Sequence, residues 1–466
     1  MTVKTPRIII AGTHSGSGKT TVTCAVMRAL VNKGIKVSPF KCGPDYIDPM
    51  FHTAVTGVSG GNIDTFLFND NTAKYLLAKN AQGHDISVIE GVMGYYDGAG
   101  TDGSIAGTFS VADATKTPVV LVVNCKGLSF SAAAMIKGFV GYRKSSYISG
   151  VILNNISPHV YELIKPVIED ETGIKVFGFL PKLPDDCIFE SRRLGLVTPA
   201  ELVDIHTKLD LLAKIAADNI DLDGLMKTAS EAPCLSYEKP AIKQFSDKVK
   251  IAMAEDKAFC FIYRDNIDLL KEMGAKIIPF SPLTSDKLPE DISGLLLYGG
   301  YPELYLDELS GNTSLLNDIH IKLTGGLPCI AECGGFMYLN RSIEGKKMVG
   351  FLESDCYKTN KLVRFGYAKI IAMRDNMLCA NGESINAHEY HYFDCTDPGV
   401  DFTALKPTGR EWKCIVAQET LFAGFPHIHF YGNLQFAEGF YEKCLEFGKK
   451  QNAARQSSFV EGQVNL

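Results

Sequence analysis

Five residues, Arg7-Ile-Ile-Ile-Ala11, lead directly into Gly12-Thr-His-Ser-Gly-Ser-Gly-Lys-Thr-Thr21, and this junction restricts the fold more than any other stretch. The first run is too short for a signal-peptide core and reads as a buried strand. Beyond the loop, Val22, Val26, Ala29 and Leu30 share one face of a helix over Thr20–Lys33, with Gly34 as its stop. Glycines between a strand and a helix N-terminus let successive backbone N–H groups turn inward, where the helix adds positive potential. Such a loop cradles phosphate. On this reading Gly12, Thr13, Ser15, Gly16, Ser17, Gly18, Lys19, Thr20 and Thr21 bind ATP. Lys19 reaches the β- and γ-phosphates, and the Thr20 hydroxyl coordinates Mg2+. Thr13 stands where the common spacing has glycine and Gly12 one place earlier, so the loop is a variant. A glycine-rich turn without a ligand is the alternative.

Further short apolar runs follow at Val37–Phe40, Ile86–Glu90, Val119–Asn124, Gly150–Asn154 and Val176–Leu180, separated by helical patterns. Strands apolar throughout are those of a parallel sheet covered on both faces, so residues 1–230 read as a doubly wound α/β domain. The periodicity then breaks, and 231–247 reads as a linker. A second α/β series, Val249–Met253, Ala275–Pro279, Gly294–Tyr298 and Cys329–Glu332, begins a domain over 248–446, and 447–466 reads as a loose polar tail.

A net charge of −6 argues against nucleic acid or an anionic membrane as the main partner, since both reward clustered Lys and Arg. No run approaches the length needed to cross a bilayer. The thirteen cysteines are scattered and form no Cys-x-x-Cys pair, which fits buried thiols in a reducing cytoplasm better than disulfides or zinc.

Phe40-Lys-Cys-Gly-Pro-Asp-Tyr-Ile-Asp-Pro-Met-Phe-His52 follows the second strand. It brings Lys41, Asp45 and Asp48 to the strand ends where ligands bind, although Gly-Pro-Asp and Asp-Pro also read as turn chemistry. Glu90 ends an apolar strand, where a buried carboxylate is costly unless paired or metal-bound. Thr20, Glu90 and Asp48 are the candidate magnesium ligands, and Asp97 assists metal or substrate. In the second domain, Cys333 of Ala331-Glu-Cys-Gly-Gly335 falls between a strand and a helix. That turn exposes the thiol, and the helix N-terminus is expected to lower its pKa. Gly300 and Gly334 offer backbone N–H groups for an oxyanion. His427 and His429, two apart on an extended segment, offer a proton shuttle on one side of it.

The loop's Gly-Thr-x-Ser-x-x-Gly-Lys-Thr pattern resembles the family of dethiobiotin synthetase and the cobyrinate amidases. Lys41 to Pro49 and Ile89-Glu-Gly-Val-Met-Gly94 are similar to long blocks of the cobyrinate amidases in particular. Glu190 to Glu201 resembles another, with Arg193 where that family has histidine; it suits a polycarboxylate or is simply solvated. Cys333 and Phe425-Pro-His-Ile-His-Phe430 resemble the fused glutamine amidotransferase domain, which implies His427 as base and His429 second. The family's usual acid after the base is replaced by His429, so a Cys–His dyad is the expectation. His388 and His391 belong to a similar His-Glu-x-His block, expected to serve substrate or an interface rather than zinc.

The resemblance implies a P-loop NTPase-like domain followed by a class I glutamine amidotransferase-like domain. It implies ATP, Mg2+ and glutamine, with two acetate side chains of cobyrinate, a and c, converted to amides through acyl phosphates. Hydrogenobyrinate or nickel-sirohydrochlorin is the sibling alternative. A bicarbonate-using dethiobiotin-type ligase leaves the glutaminase half idle. A ParA/MinD-like switch lacks its signature lysine at position 14 and leaves Cys333 without a role. A homodimer is expected only from the prevalence of two-fold symmetry.

Overall fold

The computed structural model describes residues 1–464 except 101, 102, 104, 185, 186, 188, 190, 193, 194, 197 and 203. The chain divides into two compact units, Met1–Pro240 and Ala241–Leu466.

In the first unit the apolar runs form seven strands: β1 (Arg7–Gly12), β2 (Val37–Cys42), β3 (Gly61–Ile63), β4 (Ile86–Glu90), β5 (Val119–Asn124), β6 (Ile148–Asn154) and β7 (Lys175–Leu180). They make one parallel sheet in the order β3-β2-β4-β1-β5-β6-β7. Every residue of β1, β2 and β4 is buried, which explains why none of them alternates in polarity. Helix α1 (Lys19–Asn32) leaves β1 and α2 (Ile47–Thr56) leaves β2. The turns after β1, β2 and β4 therefore open at one edge of the sheet. Arg7 is fully buried in β1 and pairs with no carboxylate among the described residues. Its guanidinium donates instead to Thr117 Oγ1 and to the carbonyls of Thr5 and Thr115, and burial lowers it to about 10.

The second unit holds two larger sheets. Strands β8 (Lys250–Ala254), β9 (Lys276–Phe280), β10 (Gly294–Leu297) and β11 (Cys329–Glu332) are followed by an antiparallel set. That set is β12 (Arg364–Ala372), β13 (Ser384–His391), β14 (Phe402–Leu405) and β15 (Glu411–Cys414). Then come β16 (Val416–Ala417), β17 (Leu421–Gly424) and β18 (His427–Ile428). The central sheet runs β9-β8-β10-β11-β17-β16, parallel except at β16. The antiparallel sheet runs β15-β14-β12-β13-β18. The short helix α3 (Gly334–Leu339) starts immediately after β11 and Cys333.

Two expectations at the margins are corrected. Leu235–Ser236, inside the expected linker, pairs antiparallel with Thr2–Val3, and Lys4 Nζ donates to Ala232 O at 2.6 Å, so this stretch is woven into the first unit. Residues 447–464 are not a loose tail: they continue helix α4 (Leu434–Val464) beyond its apolar positions Phe436, Ala437, Phe440, Tyr441 and Cys444, into a stretch with few apolar residues to show the period.

Helix α1 carries the loop residues by burying Val22, Val26, Ala29 and Leu30. Leu30→Ala empties one of these sites and is expected to cost about 2–5 kcal/mol, measurable as a lower denaturation midpoint for the first unit.

Candidate active sites

In the first unit, β2 and β4 are neighbours with Lys41 directly opposite Glu90. A buried lysine and a buried glutamate thus meet because sheet register leaves them no alternative. Lys41 Nζ lies 3.0 Å from Glu90 Oε1, donates to Gly91 O at 3.0 Å and contacts Asp48. From α1, Thr20 Oγ1 donates to Glu90 Oε1 at 2.6 Å and lies 3.5 Å from Asp48 Oδ1. From α2, His52 Nε2 meets Glu90 Oε2 at 2.7 Å.

Burial pushes the Glu90 carboxyl up, but Lys41 and His52 outweigh it and hold it below the ordinary carboxylate range. Burial likewise pushes the Lys41 ammonium down, and Asp48 with Glu90 more than restores it. Asp48 is driven up by burial and then by the charge of Glu90. The result is a dry ion cluster whose carboxylates cannot both ionise cheaply without another cation. Thr20, Asp48 and Glu90 present hard oxygen donors of the kind magnesium takes, so the residues fit that ion.

The loop sits over this cluster. A Cβ on Gly12 would meet Ser17 Oγ at 2.1 Å and the Lys19 stem at 2.8 Å, so only glycine fits there. Asn154, ending β6, donates to Ser17 O at 3.0 Å and fixes the loop from the far side. Lys19 Nζ folds onto His14 O at 3.3 Å; burial and then repulsion from Lys41 lower it to about 8. Ser15 and Gly16 are exposed, Thr13, Gly18 and Thr21 half-buried. Asp97 caps its own loop, accepting from Gly94 N at 3.0 Å, while Tyr95 N donates to Gly12 O at 2.8 Å. Asp45 accepts from Ile47 N at 2.8 Å, a turn that starts α2. Arg193 lies outside the described residues.

His52 and Asn154 were not nominated from the sequence. His52 stands four residues after Asp48 on one helix, which places both on the same face, and that spacing was the available signal. Asn154 gives no local signal, because its partner is far along the chain.

In the second unit, Cys333 bridges β11 and α3 with φ 48° and ψ −105°. A non-glycine residue held there costs about 1–3 kcal/mol, the kind of strain that accompanies a presented nucleophile. Its N–H donates to Gly424 O at 2.7 Å, pinning the elbow to β17. A Cβ on Gly299 would lie 2.7 Å from His427 Cε1 and 3.5 Å from Cys333 Cβ, so the imidazole and the thiol share one small space. A Cβ on Gly334 would lie 3.1 Å from Gly300 N, so the two glycine backbones adjoin as an oxyanion pair requires.

The expected low thiol pKa is corrected. Burial pushes the Cys333 thiol up and Glu303 adds to it, while the Gly334 N–H opposes them. Desolvation outweighs a helix of six residues, so the resting group is a thiol and needs a base. Burial also lowers His427 to about 3, so its resting ring is neutral. Glu332 Oε2 lies 3.4 Å from His427 Nδ1, and burial raises that carboxyl to about 8.

His429 is fully buried, with ring contacts to Tyr263 and Tyr431 at 5.0 and 5.9 Å. His388 and His391, three apart on β13, fall on opposite faces of the strand. His388 lies opposite His427, whereas His391 stacks on Phe425 at 4.0 Å and meets Glu389 Oε2 at 3.0 Å.

Residues 8–196 match the family model described as the CobQ/CobB/MinD/ParA nucleotide binding domain, and residues 250–434 that of the CobB/CobQ-like glutamine amidotransferase domain. With both units in one chain, the protein is a glutamine-hydrolysing ligase that uses ATP and glutamine as substrates. The chain is 41% identical over 437 residues to the cobyrinate a,c-diamide synthase of Clostridium acetobutylicum, covering 92% of this chain and 98% of that one. It is 40% identical over 452 residues to that of Caldanaerobacter subterraneus (95% and 99%) and 39% over 463 to that of Thermoplasma volcanium (96% and 99%). It belongs to the cobyrinate a,c-diamide synthase family.

The raised thiol pKa makes a direct prediction. In the ligand-free protein, iodoacetamide should modify Cys333 more slowly than free cysteine at pH 8. Its rate should keep rising past pH 9 rather than level off, as followed by peptide mass spectrometry.

Proposed function

We propose that this enzyme converts the a and c acetate carboxylates of cobyrinate to amides, in the cytoplasm, as a step of cobalamin biosynthesis. The observation that carries the reading is the end-to-end similarity to cobyrinate a,c-diamide synthases in a chain that has both the phosphate loop and the cysteine elbow.

A carboxylate resists attack by ammonia, whereas an acyl phosphate does not, so one chain needs both a phosphate site and a source of ammonia. In the first unit, Gly12 to Thr21 cradle the triphosphate and Lys19 leaves His14 O to reach its terminal phosphates. Thr20, Glu90 and Asp48 hold a magnesium ion, which neutralises phosphate charge. Lys41, beside both carboxylates, offsets charge on the substrate carboxylate as it takes the phosphoryl group. Asp45 and Asp97 serve the substrate side.

In the second unit, His427 takes the Cys333 proton and the thiolate attacks the glutamine amide carbon. The Gly300 and Gly334 N–H groups hold the oxyanion. The C–N bond then breaks, ammonia leaves with a proton from His427, and water hydrolyses the thioester to glutamate.

Incubation of the enzyme with ATP, Mg2+, glutamine and cobyrinate, followed by mass spectrometry, tests the reading. Two successive exchanges of a hydroxyl for an amine are expected. ATP turnover that leaves cobyrinate unchanged but amidates hydrogenobyrinate or nickel-sirohydrochlorin would contradict the substrate.

Two substitutions test the division of labour. Cys333→Ala should lose glutamine-driven amidation by at least about 10³-fold while high ammonium still supports it. Lys19→Ala should lose amidation with either nitrogen source.

A further inference from the structure

We infer that Glu332, the residue immediately before the cysteine, is the acid that positions His427 in the glutaminase site. This rests on the reading that Cys333 and His427 split glutamine. A Cys–His pair works best when a third group fixes the imidazole so that the nitrogen facing the thiol is bare. The position two residues after the base is His429, which carries no negative charge to offer. The acid must come from another part of the fold.

Among the described residues, Glu303, Glu389 and Glu332 lie close enough to Cys333 to raise its pKa. Glu389 is the carboxylate whose charge acts on His427, but both its oxygens are engaged elsewhere, with His391 Nε2 at 3.0 Å and Trp412 Nε1 at 3.2 Å. Glu303 sits half-buried in the short turn Pro302–Leu304. Glu332 differs from both. It is 1% exposed at the end of β11. Its Oε1 accepts the Ile428 N–H at 3.2 Å, and its Oε2 accepts no hydrogen bond among the described residues while lying 3.4 Å from His427 Nδ1. One carboxyl thus grips the backbone after the base and faces the ring of the base itself.

The rest of the pocket supports the same ring orientation. His427 Cε1, between the two ring nitrogens, faces Gly299, and Cys333 Cβ lies beside the same glycine. With Nδ1 turned to Glu332, Nε2 is the nitrogen left for the thiol. Asn266 clamps the segment further, donating to Ile428 O at 3.0 Å and accepting from Phe430 N at 2.8 Å. In the resting site Nδ1 faces Glu332 Oε2 at 3.4 Å without a hydrogen bond between them. When the Cys333 proton moves to Nε2 in the form whose Glu332 has lost its proton, a form that burial shifts to higher pH, the imidazolium faces a carboxylate and the pair becomes ionic. Contacts of this kind are long at rest and tighten as charge develops.

Glu332→Gln keeps an acceptor for the Ile428 N–H but removes the group that can ionise beside His427. It is expected to lower kcat for glutamine hydrolysis about a hundredfold, with the KM for glutamine within about threefold. Amidation with ammonium should continue, which shows that the protein is folded, and Glu332→Asp should recover part of the loss. A structural role alone would not change the tautomer of His427. In 15N-histidine-labelled protein, with the signal assigned by its loss in His427→Gln, the wild type should show Nδ1–H and Glu332→Gln a mixture. Wild-type kcat in Glu332→Gln, or an unchanged tautomer, would overturn the inference. If Cys333→Ala also hydrolyses glutamine, it is the underlying reading that fails.

Discussion

The first unit is organised around one buried ion cluster. Glu90 ends a strand with no exposed residue, and nothing apolar can compensate a carboxylate there. Lys41 reaches it from the next strand, Thr20 from α1 and His52 from α2, so the glutamate ties together the elements that shape the nucleotide site. Each partner is held by an element whose own packing is apolar and ordinary. The sheet register decides that these charges meet, and mutual compensation keeps Lys41 and Glu90 ionised.

The second unit meets a different constraint. A nucleophile must be presented, but the elbow that presents Cys333 also buries it, and burial favours the uncharged thiol. The fold sets a neutral, buried histidine on β18 and two adjoining glycine backbones beside it, the proposed base and oxyanion donors. Strand β11 contributes to both halves of this arrangement, with Glu332 as its last residue and Cys333 directly after it. The same desolvation that suppresses the resting thiolate strengthens every interaction with the oxyanion once glutamine fills the site.

Much of this was legible in the sequence because it is local. The strand, loop and helix from Arg7 to Asn32 are encoded by residues within reach of one another, and so is the elbow at Cys333. The parallel strands were legible because burial on both faces leaves unbroken apolar runs. The antiparallel sheet was not, since β13 alternates buried and half-buried positions in a mixed composition that includes Asn386, His388 and Glu389. Glu332 and Asn154 escaped for a related reason: each acts on a partner brought near only by the fold. The pKa of Cys333 was misjudged because a helix N-terminus can be seen in a sequence, whereas the depth of burial cannot.

The central claim is that one chain frees ammonia from glutamine at Cys333 and spends it on a carboxylate activated at the phosphate loop. Supplying amide-15N glutamine with unlabelled ammonium and ATP, then measuring label in amidated cobyrinate, tests this most directly. The account predicts labelled amide from the wild type and only unlabelled amide from Cys333→Ala. Labelled amide from Cys333→Ala, or none from the wild type, would contradict it.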